Sequence, residues 1–258
     1  MQLSFYKYQG TGNDFILIDN RDNTIQLNEQ QINQLCNRRF GIGADGLMLL
    51  QNHTDFDFEM IYYNADGKLG SMCGNGGRCI TQFANDLGIQ KEKFIFLAID
   101  GAHESFFDSN GWIHLKMQDV NSIQKNETDF VLNTGSPHYI KMVKNLDSVD
   151  VFAEGKAIRY NNEFNKKGIN VNFVEQLENK IFVRTYERGV ENETQSCGTG
   201  VTAAALVNAH NSLVKQRIEI STLGGNLAVE FTKISDNQFQ NIWLCGPATF
   251  VYKGLIEI

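Results

Sequence analysis

Two of the five cysteines sit in the same local setting. Cys73-Gly74-Asn75-Gly76 and Cys197-Gly198-Thr199-Gly200 each follow a β-rich run and open a stretch of helical composition. Each thiol is therefore expected at a helix N-terminus, where unpaired backbone N–H groups and the helix dipole favour an anion and lower a thiol's pKa. The glycines permit a bound carboxylate to approach the main chain at the same place. Two such thiols suit a two-base reaction at one carbon. A thiolate removes a proton from one face and a thiol returns one to the other, so the configuration inverts. General acid–base catalysis contributes about 10²–10⁴-fold per group. The rest of the stabilisation of a weak carbon acid, with no pyridoxal cofactor, must come from a dry cavity and anchoring donors.

The pair belongs to a larger repeat. Thr11-Gly12-Asn13-Asp14 corresponds to Thr134-Gly135-Ser136-Pro137, an offset of 123 from Thr11 to Thr134. The apolar run Phe56–Tyr63 ending in Asn64 corresponds to Ile181–Tyr186 ending in Glu187, again 123 from Asn64 to Glu187. Cys73 to Cys197 is 124. Recurrent turn chemistry alone would not produce a common offset, so the chain reads as a duplication into two lobes of about 120 residues, the paired motifs facing each other across a cleft. The first lobe is expected to be 1–117 plus 246–258, and the second 118–245.

Other chemistries fit less well. Cys36, Cys79 and Cys245 read as small packing residues. Zinc is disfavoured because there is no CxxC or HxxxH pair and the nearest thiols, Cys73 and Cys79, are six residues apart. No metal site is expected. A Cys-x5-Arg phosphate loop fails because only four residues separate Cys73 from Arg78. Gly41-Ile42-Gly43-Ala44-Asp45-Gly46 fits GxGxxG but follows a helical segment and precedes the strand-like Leu47–Leu50, the reverse of a dinucleotide fingerprint. The net charge of −7 argues against a nucleic-acid or anionic-membrane surface as main partner. With no apolar run near the ~18 residues that span a bilayer and no signal-peptide pattern, a soluble cytoplasmic protein with a small-molecule ligand is expected.

The elements that must hold these residues are mostly strands. Strands are predicted at Leu3–Tyr8, Phe56–Tyr63, Phe94–Ala98, Trp112–Lys116, Ile181–Tyr186, Arg217–Ser221, Leu227–Phe231 and Ile242–Cys245. Helices are predicted at Asn28–Arg39 with Asn28 as cap, at Pro137–Asn145 with Ser136 as cap, at Gly76–Leu87 ending at Gly88, and at Gly200–His210, apolar on nearly all sides and so buried. Regular βαβ alternation is missing, so the fold class is α+β, two pseudo-symmetric lobes with curled mixed sheets around a helix.

At these residues the chain resembles the diaminopimelate epimerase family, of the cofactor-independent amino-acid racemase group. The resemblance runs through Gly10–Phe15, Arg39–Gly46, Tyr63–Gly67, Met72–Cys79, Ser136–His138, Asn170–Phe173 and Tyr186–Gly200, in order. It implies pseudo-symmetric halves, each a curled sheet around a central helix. It also implies interconversion of LL- and meso-2,6-diaminopimelate in lysine and peptidoglycan biosynthesis without a cofactor, and a homodimer. Carried over residue by residue, Cys73 and Cys197 are the acid–base pair. Asn13, Asn64, Gly74, Asn75, Asn170, Glu187, Arg188, Gly198 and Thr199 contact the substrate, while His138 and Glu187 lie beside the thiols and tune them. Arg188 can fork onto a distal carboxylate, and the asparagines offer both donors and acceptors.

Two positions depart from the commonest family pattern. Ser136 stands where Asn is usual and Gly46 where many members have Gln, so two polar substrate contacts are expected to be water-filled or supplied elsewhere. The alternatives are a proline or hydroxyproline racemase, which needs no distal carboxylate clamp, a thiol–disulfide redox protein cycling Cys73 with Cys197, and a non-catalytic ligand-binding protein.

Overall fold

The computed structural model describes residues 2–258. The chain divides into two compact units, one running to Leu115 and resuming at Pro247–Ile258, the other Lys116–Gly246. The first holds β1 (Gln2–Gly10), β2 (Asn13–Asp19), α1 (Glu29–Cys36), β3 (Gly46–Gln51), β4 (Phe58–Asn64), α2 (Gly74–Asp86), β5 (Phe94–Ala98), β6 (Gly101–Phe107), β7 (Ile113–Lys116) at its end, and the last strand, β17 (Thr249–Glu257). The second holds β8 (Ile123–Asn126), β9 (Asp129–Asn133), β10 (Pro137–Val143), α3 (Val151–Arg159), β11 (Asn170–Gln176), β12 (Ile181–Glu187), β13 (Asn192–Thr194), α4 (Gly198–Val207), β14 (Lys215–Thr222), β15 (Gly225–Ser235) and β16 (Gln238–Gly246).

The two units repeat one wiring. In the first, β1–β2 is antiparallel, β2–β3 parallel, β3–β4 antiparallel, β4–β5 parallel, and β5–β6 and β6–β7 antiparallel. In the second, β9–β10, β10–β11, β11–β12, β12–β14, β14–β15 and β15–β16 follow the same sequence of senses. β17 flanks β1 as β8 flanks β9. The register also repeats. Phe15 pairs with Gly46 as His138 pairs with Asn170, and Met48 lies opposite Tyr62 as Asn172 lies opposite Thr185.

Each unit is α+β, with a mixed sheet curled around one helix. α2 packs on β1, β2, β3, β6 and β17, and α4 on β9 to β12 and β14 to β16. The middle strands are buried on both faces. In β2 and β3, Ile16, Ile18, Leu47 and Leu49 join Ile32 and Leu35 of α1 in one cluster. The alternate residues Phe15 and Met48 reach Gly76 on α2. In the second unit Val171 and Phe173 pack with Val151 at the start of α3, which leaves Asn172 facing α4. No helix among the described residues is long and apolar enough to cross a membrane.

Local signals explain most of the helices. Asn28 caps α1 in a capping box with Gln31. The helix stops at Cys36 rather than Arg39, because Asn37 turns its side chain onto the N–H groups of Arg39 and Phe40, each at 2.9 Å. α2 and α4 begin directly after their cysteines, and Gly88 follows α2 at φ +88°.

The predicted helix at Pro137–Asn145 is wrong: that segment is strand β10. Ser-Pro imitates a helix start. Yet His138 and Ile140 point inward while Tyr139 and Lys141 lie half-buried between them, a period of two, and proline is tolerated as first residue of a strand. α3, capped by Asp150 accepting from Ala153 N at 3.0 Å, was not anticipated; it matches α1 in the repeat.

Candidate active site

Both CGxG cysteines occupy the N-cap of a helix in extended conformation, Cys73 at φ −108°, ψ 152° and Cys197 at φ −116°, ψ 112°. Cys73 Sγ accepts from Gly76 N at 3.2 Å, so the helix start donates directly to sulfur. Cys197 Sγ lies 3.5 Å from Thr199 Oγ1. Cys197 is buried and Cys73 partly exposed. The other cysteines differ in kind. Cys36, Cys79 and Cys245 are buried in the packing, and burial pushes the Cys36 thiol up to about 11 and Cys79 further still.

Around Cys73 the polar groups are bonded to each other. Asn75, buried at the first turn of α2, donates to Asn13 Oδ1 at 3.2 Å and accepts from Arg78 at 3.1 Å. Asn13 in turn donates to Asp45 at 2.7 Å. The Arg78 guanidinium, fully buried, also donates to Gly74 O, Thr11 Oγ1 and Pro247 O. It ties the helix start to the hairpin turn Thr11-Gly12, where both residues have positive φ, the geometry of a tight two-residue β-turn. Asp14 binds Lys7 at 2.6 Å and Arg38 at 2.6 Å, and Arg38 reaches Asp45 at 2.7 Å. Burial would raise the Asp14 pKa, but the Arg38 and Lys7 hydrogen bonds outweigh it and hold the carboxyl at about 2.

Gly46 and Asn64 face each other at the ends of β3 and β4. A Cβ on Gly46 would lie 2.5 Å from the Tyr62 ring and 2.6 Å from Tyr63 O, so no side chain fits there. The Tyr62 ring fills the space between Gly46 and Gly70, and Asn64 Nδ2 borders the same spot. A polar side chain at position 46 therefore has no room here, and the nearest hydroxyl is that of Tyr62.

In the second unit, Asn170 is a clamp. Its amide donates to Ser136 Oγ at 2.8 Å and Pro137 O at 3.2 Å, while its oxygen accepts from Arg188 N at 2.8 Å. Ser136 Oγ is thus an acceptor for Asn170. Arg188 is exposed, with one guanidinium nitrogen on Lys167 O at 3.1 Å. Glu187 accepts from Thr194 at 3.0 Å. His138 is fully buried and reaches Cys197 through Thr199, with Nε2 2.9 Å from Thr199 Oγ1. Burial, with the Arg188 charge second, pushes its pKa down to about 3, so the ring is neutral.

The structure thus gathers Asn13, Cys73, Gly74 and Asn75 in one bonded group, with Gly46 and Asn64 together at the β3–β4 end. It gathers Ser136, His138, Asn170, Arg188, Cys197, Gly198 and Thr199 in the other unit. Sequence reasoning missed Lys7, Asp14, Arg38 and Asp45 as a charge network, Arg78 as the brace of the helix start, and Asn172 beneath His138. Asp14, Asp45, Arg78 and Asn172 all lie inside the quoted motifs, but nothing local marked which way they face.

Comparison with known proteins gives first a class and then a family. The fold is that of a Bacillus anthracis phenazine biosynthesis protein of the PhzF family (TM-score 0.78, 15% identity, all of both chains). It is also that of a hydroxyproline epimerase from Agrobacterium vitis (TM-score 0.69, 10% identity, 99% of this chain and 92% of that one). Within that class the chain belongs to the diaminopimelate epimerase family, whose model matches residues 5–121 and again 130–251. It is 48% identical over 257 residues to the diaminopimelate epimerase of Flavobacterium psychrophilum, covering 98% of this chain and all of the relative. It is 36% identical over 278 residues to that of Aquifex aeolicus, covering 99% and 98%.

Proposed function

We propose that the chain interconverts LL-2,6-diaminopimelate and meso-2,6-diaminopimelate by a two-base reaction without a cofactor, a step of lysine and peptidoglycan precursor synthesis. The observation that carries this is the recurrence of a cysteine at the cap of a buried helix in both repeats of a chain from this family. One thiolate takes the α-proton, and the other thiol delivers a proton to the opposite face of the same carbon. The first-turn amides of α2 and α4 hold the α-carboxylate as charge develops on the carbon, where fixed donors lower the barrier most. Asn13, Asn64, Asn75 and Asn170 border the bound amino acid, and Asn170 places the Glu187–Arg188 turn through its bond to Arg188 N. The exposed Arg188 forks onto the distal carboxylate, which separates this substrate from proline-type amino acids.

Reduced protein incubated with LL-diaminopimelate in deuterated water is expected to place deuterium at one α-carbon as the meso isomer forms. No exchange from folded protein with alkylatable thiols would sink the proposal. A thiol-redox role instead requires a disulfide in the working state, whereas an acid–base pair is expected to lose turnover on oxidation and to regain it on reduction. On this reading the protein works in the cytoplasm, where thiols stay reduced. It works as a homodimer, and β17 supports this by exposing Phe250, Val251, Tyr252 and Leu255. Light scattering at the mass of one chain would overturn the dimer alone.

A further inference from the structure

The space between the sheet and the cysteine helix is filled differently in the two repeats. In the first unit it holds Phe15 and Met48, with Tyr62 opposite Met48. At the matching positions the second unit has His138, Asn172 and Thr185, all buried and all hydrogen-bonded. Thr185 Oγ1 donates to Asn172 Oδ1 at 2.9 Å. Asn172 Nδ2 lies 3.1 Å from Tyr139 O and 3.1 Å from His138 Nδ1. His138 Nε2 lies 2.9 Å from Thr199 Oγ1, which lies 3.5 Å from Cys197 Sγ.

The chemistry of these groups orients every bond. Tyr139 O can only accept, so the Asn172 atom facing it is the amide nitrogen, and that nitrogen donates its second hydrogen to His138 Nδ1. A neutral imidazole that accepts at Nδ1 carries its hydrogen on Nε2. Nε2–H then donates to Thr199 Oγ1, and the Thr199 hydroxyl hydrogen is directed to sulfur. We propose that Asn172, oriented by Thr185 and Tyr139 O, is a positioning residue that holds His138 as the Nε2–H tautomer and so makes Thr199 a hydrogen-bond donor to Cys197 Sγ. A donor to sulfur favours the thiolate. Cys73 receives its donor from the main chain at Gly76, so the two thiols are stabilised by different means. The consequence for catalysis rests on the acid–base role proposed for Cys197, but the tautomer and the thiol titration do not.

Nitrogen NMR of reduced protein labelled at histidine, with His138→Gln for assignment, is expected to show His138 neutral at pH 7 with the hydrogen on Nε2. An Nδ1–H ring or an imidazolium overturns the proposal. Alkylation of Cys197, followed by mass spectrometry against pH, reads the second half. Thr199→Val is expected to move the midpoint up by about one unit, tenfold less thiolate at a given pH, while Thr199→Ser keeps the wild-type profile. Asn172→Met, the residue of the first repeat, is expected to move it in the same direction and release the tautomer. Should that variant not fold, the wild-type tautomer and the Thr199 pair decide. An unchanged midpoint in Thr199→Val overturns the relay whether or not the protein epimerises diaminopimelate.

Discussion

The two repeats agree in backbone and differ in what lies beneath the cysteine. Strand senses, register, the helix after the second strand and the capped helix recur. The first repeat places apolar Phe15 and Met48 under α2 and gathers its charges at Asp14, Asp45, Lys7 and Arg38. The second places His138 and Asn172 under α4 and bonds them to Thr199. A duplicated scaffold thus supplies two equivalent positions for a thiol, and side chains change the surroundings of each thiol without moving the backbone. A two-base reaction needs one sulfur as thiolate and the other protonated, and unequal surroundings bias which sulfur holds the proton.

The largest effect tests the equivalence of the two positions. Cys73→Ser and Cys197→Ser are each expected to lose about 10²–10⁴-fold in epimerisation rate, read by conversion of LL- to meso-diaminopimelate. Loss in only one variant would break the symmetric role.

Next comes the packing under each helix. A Cβ on Gly200 would run into Asn172 Oδ1, held by Thr185, whereas a Cβ on Gly76 meets the flexible end of Met48. Gly200→Ala is expected to cost about 2 kcal/mol in urea unfolding. Gly76→Ala should stay within about 1 kcal/mol, because the methionine yields and alanine favours the helix by about that amount. The reverse order would mean that the second repeat is no more tightly specified than the first.

The smallest effect per step is the response to acid. His138 is neutral when folded, down to about pH 3, and charges near its ordinary 6.5 when unfolded. Between those values the unfolded state binds the extra proton, so stability rises with pH and is lost as pH is lowered from 6.5 toward 3, by at most about 1.4 kcal/mol per unit. His138→Gln is expected to flatten melting temperature against pH between 6 and 4. Asp14, shifted down to about 2, loses its contribution only as pH falls from its ordinary 3.8 toward 2, so Asp14→Asn should leave the upper window unchanged.

Much of this was legible without coordinates. Cys-Gly-x-Gly marks the starts of α2 and α4 because the cap and first turn are chosen within four residues, and Asn28 marks α1 for the same reason. β10 was misread because Ser136-Pro137 satisfies a local helix rule that its pairing with β9 and β11 overrides. The repeat already contained the correction, since Asn13-Asp14 opens β2 at the matching place. At the site, the cysteines, their glycines, Asn75 and Thr199 could be read from the motifs. The charge network of Asp14, Asp45, Lys7 and Arg38 could not, because its members meet only when β1, β2 and the segment before β3 come together.

By itself, the sequence determined the duplication, the starts of α1, α2 and α4, the family and the matched pair of thiols, because each is written in neighbouring residues or in a common offset. Only the tertiary structure decided that Gly46 lies against Tyr62, that Asn170 clamps Ser136 to Arg188, and that Asn172 faces His138. The face a strand residue presents is settled by partners some 13 to 34 positions away, as Thr185 and His138 are from Asn172. So is the burial that keeps a histidine neutral.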